Sequence, residues 1–215
     1  SRTIFEYNIQ SWSRQNGLPF SRISAITQTD DGFLWLATQN GLARFDGIEF
    51  THIAIPNRAG WHSRSVIALQ NSPRGGLWFG LDAGGFGYFD ATNHFDSFSG
   101  DWLKTLLGIR AIHEDADGSL WIGSQNGFAG LPGGNTNQLF VDDKLGLIQS
   151  IYEDPQHRHW VGTFEKGLFC LENGKLHPFA NRELLGVNIR AITMDQEGRL
   201  WIGPSWGLRS YDPDS

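Results

Sequence analysis

The sequence predicts an all-β fold, a β-propeller of five four-stranded antiparallel blades, and three observations carry that prediction. One segment type recurs five times along the 215 residues. A tryptophan anchors each copy, at Trp35, Trp78, Trp121, Trp160 and Trp201, with spacings of 43, 43, 39 and 41 residues, the span of a four-stranded blade. Glycine is abundant, with 27 residues beside 9 tryptophans, as many short strands joined by tight turns require.

Each repeat opens on a strand at Ile23–Ile26, Val66–Leu69, Ile109–Ile112, Ile148–Ile151 or Ile189–Ile192. Its third place holds Ala25, Ala68, Ala111, Ser150 or Ala191, small residues suited to the innermost strand, where blades converge. A turn rich in Asp and Gly follows, as in Asp30-Asp31-Gly32, and such residues accept the backbone angles of a hairpin. The second strand carries the tryptophan, with a glycine two places on in Trp121-Ile122-Gly123, Trp160-Val161-Gly162 and Trp201-Ile202-Gly203. A large ring against a neighbouring blade buries much area in a thin layer. A third strand starts at Gly41, Gly127, Gly167 and Gly207, and a fourth at Glu49–Ile53, His94–Phe98, Asn137–Val141 and Lys175–Phe179. The fifth repeat stops at Asp212, while Phe5–Ile9 forms an extra strand ahead of the first. The expectation is one propeller domain over residues 1–215, its last blade closed by that N-terminal strand, which would remove the exposed sheet edges.

Composition narrows the function. The net charge of −6 with scattered Lys and Arg lacks the basic face of a nucleic-acid binder. The single cysteine, Cys170, excludes an internal disulfide and a Cys-rich metal site. No stretch reaches the ~20 apolar residues of a membrane helix. The seven histidines show no H-E-x-x-H spacing, and no G-x-S-x-G elbow is present. His157-x-His159 falls in a turn and is read as solvent-facing. Asp115-Ala116-Asp117-Gly118 lacks the further ligands of a calcium loop and is read as a hairpin turn. Neither a metal nor a cofactor is expected.

The repeat, clearest in Gln39-Asn40-Gly41-Leu42-Ala43-Arg44-Phe45-Asp46-Gly47 and in its lead-in of Trp12 and Asn16-Gly17-Leu18-Pro19, resembles the two-component regulator propeller family. The resemblance runs from about Tyr7 to Asp212 and recurs in all five copies. It departs from the family pattern at Pro73-Arg74-Gly75-Gly76 and at Ala129-Gly130. It implies a periplasmic, ligand-sensing domain of a membrane-anchored signalling protein, with a histidine kinase or diguanylate cyclase as output and no catalysis in this chain. A homodimer is a further expectation.

Propeller ligands sit at one mouth of the channel. The second place of the inner strand holds Ser24, Ile67, Arg110, Gln149 and Arg190, and arginine offers a rigid fork of donors to an anionic or polyhydroxylated ligand. The bland alternative is solvated channel lining, with Glu114 bridging the arginines. The loops between second and third strands should open on the same face and supply Gln39, Asp82, Gln125, Glu165 and Trp206, amides and a ring suited to an oligosaccharide. Asn40 and Asn126, each before glycine, are read as turn residues. Trp61 lies outside the repeat pattern and is expected to line the same mouth. A lectin-like module acting alone is the second reading. A glycosidase using Asp82 and Glu165 and a protein-interaction scaffold are further ones.

Overall fold

The computed structural model describes residues 9–57, 61–98, 105–134, 140–172, 174–179 and 182–213. Five antiparallel sheets follow one another along the chain, and in each the strands pair in chain order. The first comprises β1 (Ile23–Gln28), β2 (Leu34–Thr38), β3 (Gly41–Phe45) and β4 (Phe50–Ile53). The second comprises β5 (Val66–Asn71), β6 (Leu77–Leu81), β7 (Phe86–Phe89) and β8 (Phe95–Ser97). The third comprises β9 (Ala111–Glu114), β10 (Leu120–Ser124), β11 (Gly127–Leu131) and β12 (Phe140–Asp142). The fourth comprises β13 (Ile148–Glu153), β14 (His159–Thr163), β15 (Leu168–Glu172) and β16 (Lys175–Pro178). The fifth comprises β17 (Ile189–Met194), β18 (Leu200–Pro204) and β19 (Arg209–Tyr211). Each sheet is one sequence repeat, and the inner strands pack in succession, β1 on β5, β5 on β9, β9 on β13 and β13 on β17.

The core lies in the seams between blades. The anchor tryptophan of one blade is buried against the inner strand of the next. Trp35 packs with Val66, Trp78 with Ile109, Trp121 with Ile148 and Trp160 with Ile189. All four of these aliphatic partners are fully buried, each such burial stabilising by roughly 1.5–3 kcal/mol. The glycine two residues after the tryptophan permits this approach. A Cβ at Gly80 would meet Ile109 at 2.7 Å, one at Gly123 would meet Ile148 at 2.5 Å, and one at Gly162 would meet Ile189 at 2.8 Å. In blade five the same hypothetical Cβ at Gly203 meets only Ala191 of its own blade.

The predicted closing strand, Phe5–Ile9, lies outside the described residues except for Ile9, which is exposed and not in a strand. Among the described residues the fifth sheet has three strands, and no inter-blade seam joins it to the first. Apolar side chains stand exposed at both ends of the array, Ile23 and Ile26 on β1 and Leu208 beside β19. Among the described residues no helix is long and apolar enough to cross a membrane.

Candidate ligand-binding face and the opposite blade ends

The two ends of each blade are built differently. At one end lie the start of the inner strand and the loop between the second and third strands. The backbone N–H groups of Asp82, Gln125, Phe164 and Ser205, in those loops, donate to the carbonyls of Ser65, Leu107, Leu147 and Asn188, just before the inner strands, at 2.7–3.1 Å. In blades two to five this ladder ties the loop to its own inner strand, so both open on one face.

The inner strands carry a recurrent irregularity at this end. The register against the second strand shifts between Ile23 and Ala25, Val66 and Ala68, Ile148 and Ser150, and Ile189 and Ala191. The skipped residues are Ser24, Ile67, Gln149 and Arg190, and a bulge of this kind re-aims a side chain beside a functional site. In blade three Arg110 stands just before β9, its N–H bonded to the Gly123 carbonyl at 2.9 Å.

The sequence-derived residues divide into three groups here. Gln39, Asp82, Arg110, Gln125, Glu165 and Arg190 are exposed, and among the described residues none of their side chains forms a hydrogen bond or ion pair. Gln149 and Trp206 are partly engaged. The Gln149 amide donates to Asn188 Oδ1 at 3.3 Å, and the Arg209 guanidinium lies 4.5 Å over the half-exposed Trp206 ring. Trp61 is a correction. It is buried to 6 % exposure, edge-on to Phe79 and Phe95, and its indole donates to the Phe86 carbonyl at 3.3 Å. It fills the seam between blades one and two and does not line a mouth. Glu114 does not bridge the channel arginines either. It is buried in the second seam, accepting from Trp78 Nε1 at 2.6 Å and from Ser72 Oγ at 2.5 Å, with Arg74 at 2.6 Å.

At the other end, the turn between first and second strands is stitched to the anchor tryptophan. Trp121, Trp160 and Trp201 donate their indole N–H to Asp115, Asp154 and Asp195 at 2.7, 2.9 and 2.6 Å, and Trp35 donates to Thr29 at 3.0 Å. In blades four and five the remaining carboxylate oxygen caps the turn, Asp154 accepting from the N–H groups of Gln156 and Arg158 and Asp195 from those of Glu197 and Arg199. The sequence carries this signal as an Asp six residues before the tryptophan.

Asp115 uses its second oxygen otherwise. Asp115 Oδ1 lies 2.8 Å from His159 Nε2 and 3.3 Å from His113 Nε2. His113 Nε2 is also 3.0 Å from Glu153 Oε2, and His157 Nδ1 is 2.5 Å from Glu153 Oε1. Burial would raise the Asp115 pKa, but hydrogen bonds from His113, His159 and Trp121 outweigh it and hold the carboxyl well below its usual range. Burial opposes a charge on His113, yet Asp115 and Glu153 raise its pKa overall. His159, read from sequence as solvent-facing, is a second correction. It is buried at the start of β14, in the place that Leu34, Leu77, Leu120 and Leu200 hold in the other blades, and of the two histidines only His157 projects into solvent. Among the described residues, His113, Asp115, Glu153 and His159 are the side chains that could together hold a metal ion. Cys170 is buried, and burial pushes its thiol up to about 11, which leaves little reactive thiolate at neutral pH.

Known proteins match this architecture. The sequence pattern described as two component regulator propeller matches residues 17–40, 106–126 and 183–205. Three of the five blades carry the two component regulator propeller repeat. The repeat is that of a signal-transduction propeller, and its matches fall on blades one, three and five. No curated protein matches the chain as a whole. Among solved structures, two extracellular domains of proposed hybrid two component systems from B. thetaiotaomicron superpose on it. One has 21% identity and a TM-score of 0.71 over 91% of this chain. The other has 20% and 0.74 over 93%. In both, the chain spans 27% of the other's length. Virginiamycin B lyase from Staphylococcus aureus has 15% identity and a TM-score of 0.68, covering 88% of this chain and 69% of the lyase. These likenesses establish the propeller-type fold.

Proposed function

We propose that these blades form the ligand-sensing part of an extracytoplasmic signalling propeller. The face made by the inner-strand starts and the second-to-third-strand loops is the binding face. One observation carries this reading: Gln149 and Arg190 occupy the same bulged register place in blades four and five, and Arg110 holds the corresponding sequence place just before β9, beside exposed polar loop residues whose side chains form no hydrogen bond or ion pair among the described residues. A row of donors at one depth suits an anionic or polyhydroxylated ligand such as an oligosaccharide, which planar guanidinium groups grip through paired hydrogen bonds. The exposed Trp206 ring offers an apolar platform next to them. In this reading the chain binds and transmits, performs no reaction of its own, and reports to an output domain of a membrane-anchored parent. The repeat and the extracellular neighbours support the assignment.

The test is a glycan array of neutral and uronic-acid oligosaccharides probed with the wild-type chain and with Arg190→Ala and Trp206→Ala. Saturable binding that both substitutions abolish is the expected result. Binding that survives both, or turnover of any glycoside lost in Glu165→Gln, would replace this reading.

A further inference from the structure

We propose that His113, Asp115, Glu153 and His159 form a four-ligand site for a divalent transition-metal ion, Zn²⁺ above all, stapling blade three to blade four. Their ligating atoms all lie within 4.8 Å of one another. A tetrahedral ion with bonds of 2.0–2.2 Å has ligand-to-ligand edges of about 3.3–3.6 Å. The contacts already present, 2.8 Å from His159 to Asp115, 3.0 Å from His113 to Glu153 and 3.3 Å from His113 to Asp115, lie close to those edges. Two imidazoles and two carboxylates form a nitrogen–oxygen donor set that suits zinc. Each blade supplies two ligands, His113 and Asp115 from blade three, Glu153 and His159 from blade four. With all four positions taken by protein, the site is of the closed, structural kind rather than a catalytic one.

A second observation is independent of the distances. Blade four breaks the repeat twice, and both breaks serve this cluster. His159 replaces a core leucine, placing an imidazole where apolar burial would stabilise the seam. His157 occupies the turn place that Gly32, Gly75, Gly118 and Gly198 fill in the other blades, and it does so at φ 61°, a left-handed conformation unfavourable to a side chain. From there it reaches the outer oxygen of Glu153. Trp121 likewise fixes the outer oxygen of Asp115. Both carboxylates are thus oriented from behind, as ligands of metal sites are. His113 is backed by Gln70, whose Nε2 is 3.3 Å from Nδ1 while its Oε1 accepts from the Glu114 N–H. Coordination through Nε2 moves the imidazole proton to Nδ1, so this amide must turn its oxygen toward the ring.

The site is tested on the full chain, stripped with chelator and dialysed. Titration with Zn²⁺ by calorimetry is expected to show one ion per chain, and Co²⁺ to give the intense visible bands of four-coordinate nitrogen–oxygen ligation. Saturating Zn²⁺ should raise the melting temperature, since an ion that binds only the folded state stabilises it. His159→Leu, which installs the residue of the other blades and so preserves the fold, should lose the single-ion step. Glu153→Gln should weaken it at least tenfold, and the surface control His94→Ala should leave it intact. Binding that is absent in the wild type, or unchanged in both His159→Leu and Glu153→Gln, would overturn the proposal and leave the cluster as a hydrogen-bonded contact between blades.

Discussion

The two ends of the blades use the same residue types for opposite purposes. At the turn end, polar groups face one another: indole N–H groups meet carboxylates, carboxylates cap turns, and Glu114 sits buried against Trp78, Ser72 and Arg74. At the loop end, Gln39, Asp82, Arg110, Gln125, Glu165 and Arg190 are exposed, and among the described residues their side chains make no hydrogen bond or ion pair. Polar groups paired away from water are expensive to disturb, because a partner left behind loses its hydrogen bond without regaining solvent. Exposed ones contribute little to folding and are available to a ligand. Residue type alone does not separate paired polar side chains from unpaired ones in this fold; the end of the blade does.

The largest contrast is expected for the tryptophans. Trp160→Ala removes a buried ring that also anchors Asp154 and should cost about 3–5 kcal/mol. Trp206→Ala, at the exposed loop end, should change stability by no more than about 0.5 kcal/mol. Urea unfolding of the two variants beside wild type measures both, and equal losses would erase the distinction between the ends.

A second contrast compares a seam with an outer face. Gly123→Ala forces a methyl into Ile148 and should destabilise by about 1–3 kcal/mol, as overpacking does. Gly203→Ala makes only ordinary contact within its own blade and should be neutral or stabilising by up to about 1 kcal/mol, since glycine in a strand carries an entropic penalty. Melting temperatures of the pair decide this. A large loss in Gly203→Ala would mean that blade five is covered by a further packed element.

The fold was legible in the sequence because the repeat writes the same strand pattern five times. The tryptophan, the glycine two places on and the opening isoleucine together encode a seam, and four of the five seam tryptophans are buried as that pattern requires. Trp61 was misread because it lies between repeats, where period carries no information and a ring packed from the side looks the same as one facing solvent. The His/Asp/Glu cluster was missed for a related reason. Its members stand 2 to 46 residues apart and meet only when two blades pack, so no local spacing announces them. The available signal was departure from the repeat: blade four has histidine where four other blades have leucine, and another where they have glycine.

The third expectation concerns pH. Asp195 is held below the ordinary carboxylate range by hydrogen bonds from the Trp201 indole and the Arg199 N–H. A carboxylate with a depressed native pKa contributes stability above its unfolded value of about 3.9, and that contribution is lost as pH falls through the native value. Asp195→Asn should therefore be less stable than wild type at neutral pH, with the gap closing below about pH 4. Urea midpoints from pH 7 to pH 3 follow it, and a gap independent of pH would remove the charge from the explanation.

The smallest effect on folding and the largest on binding should come from the loop-end arginines. The most direct measurement is a paired one on Arg110→Ala/Arg190→Ala: its urea midpoint, and its binding to the acidic and neutral oligosaccharides that wild type retains on the array. The account predicts stability within about 0.5 kcal/mol of wild type together with loss of binding. Unfolding of the variant, or binding equal to that of wild type, would contradict the assignment of this face to a ligand.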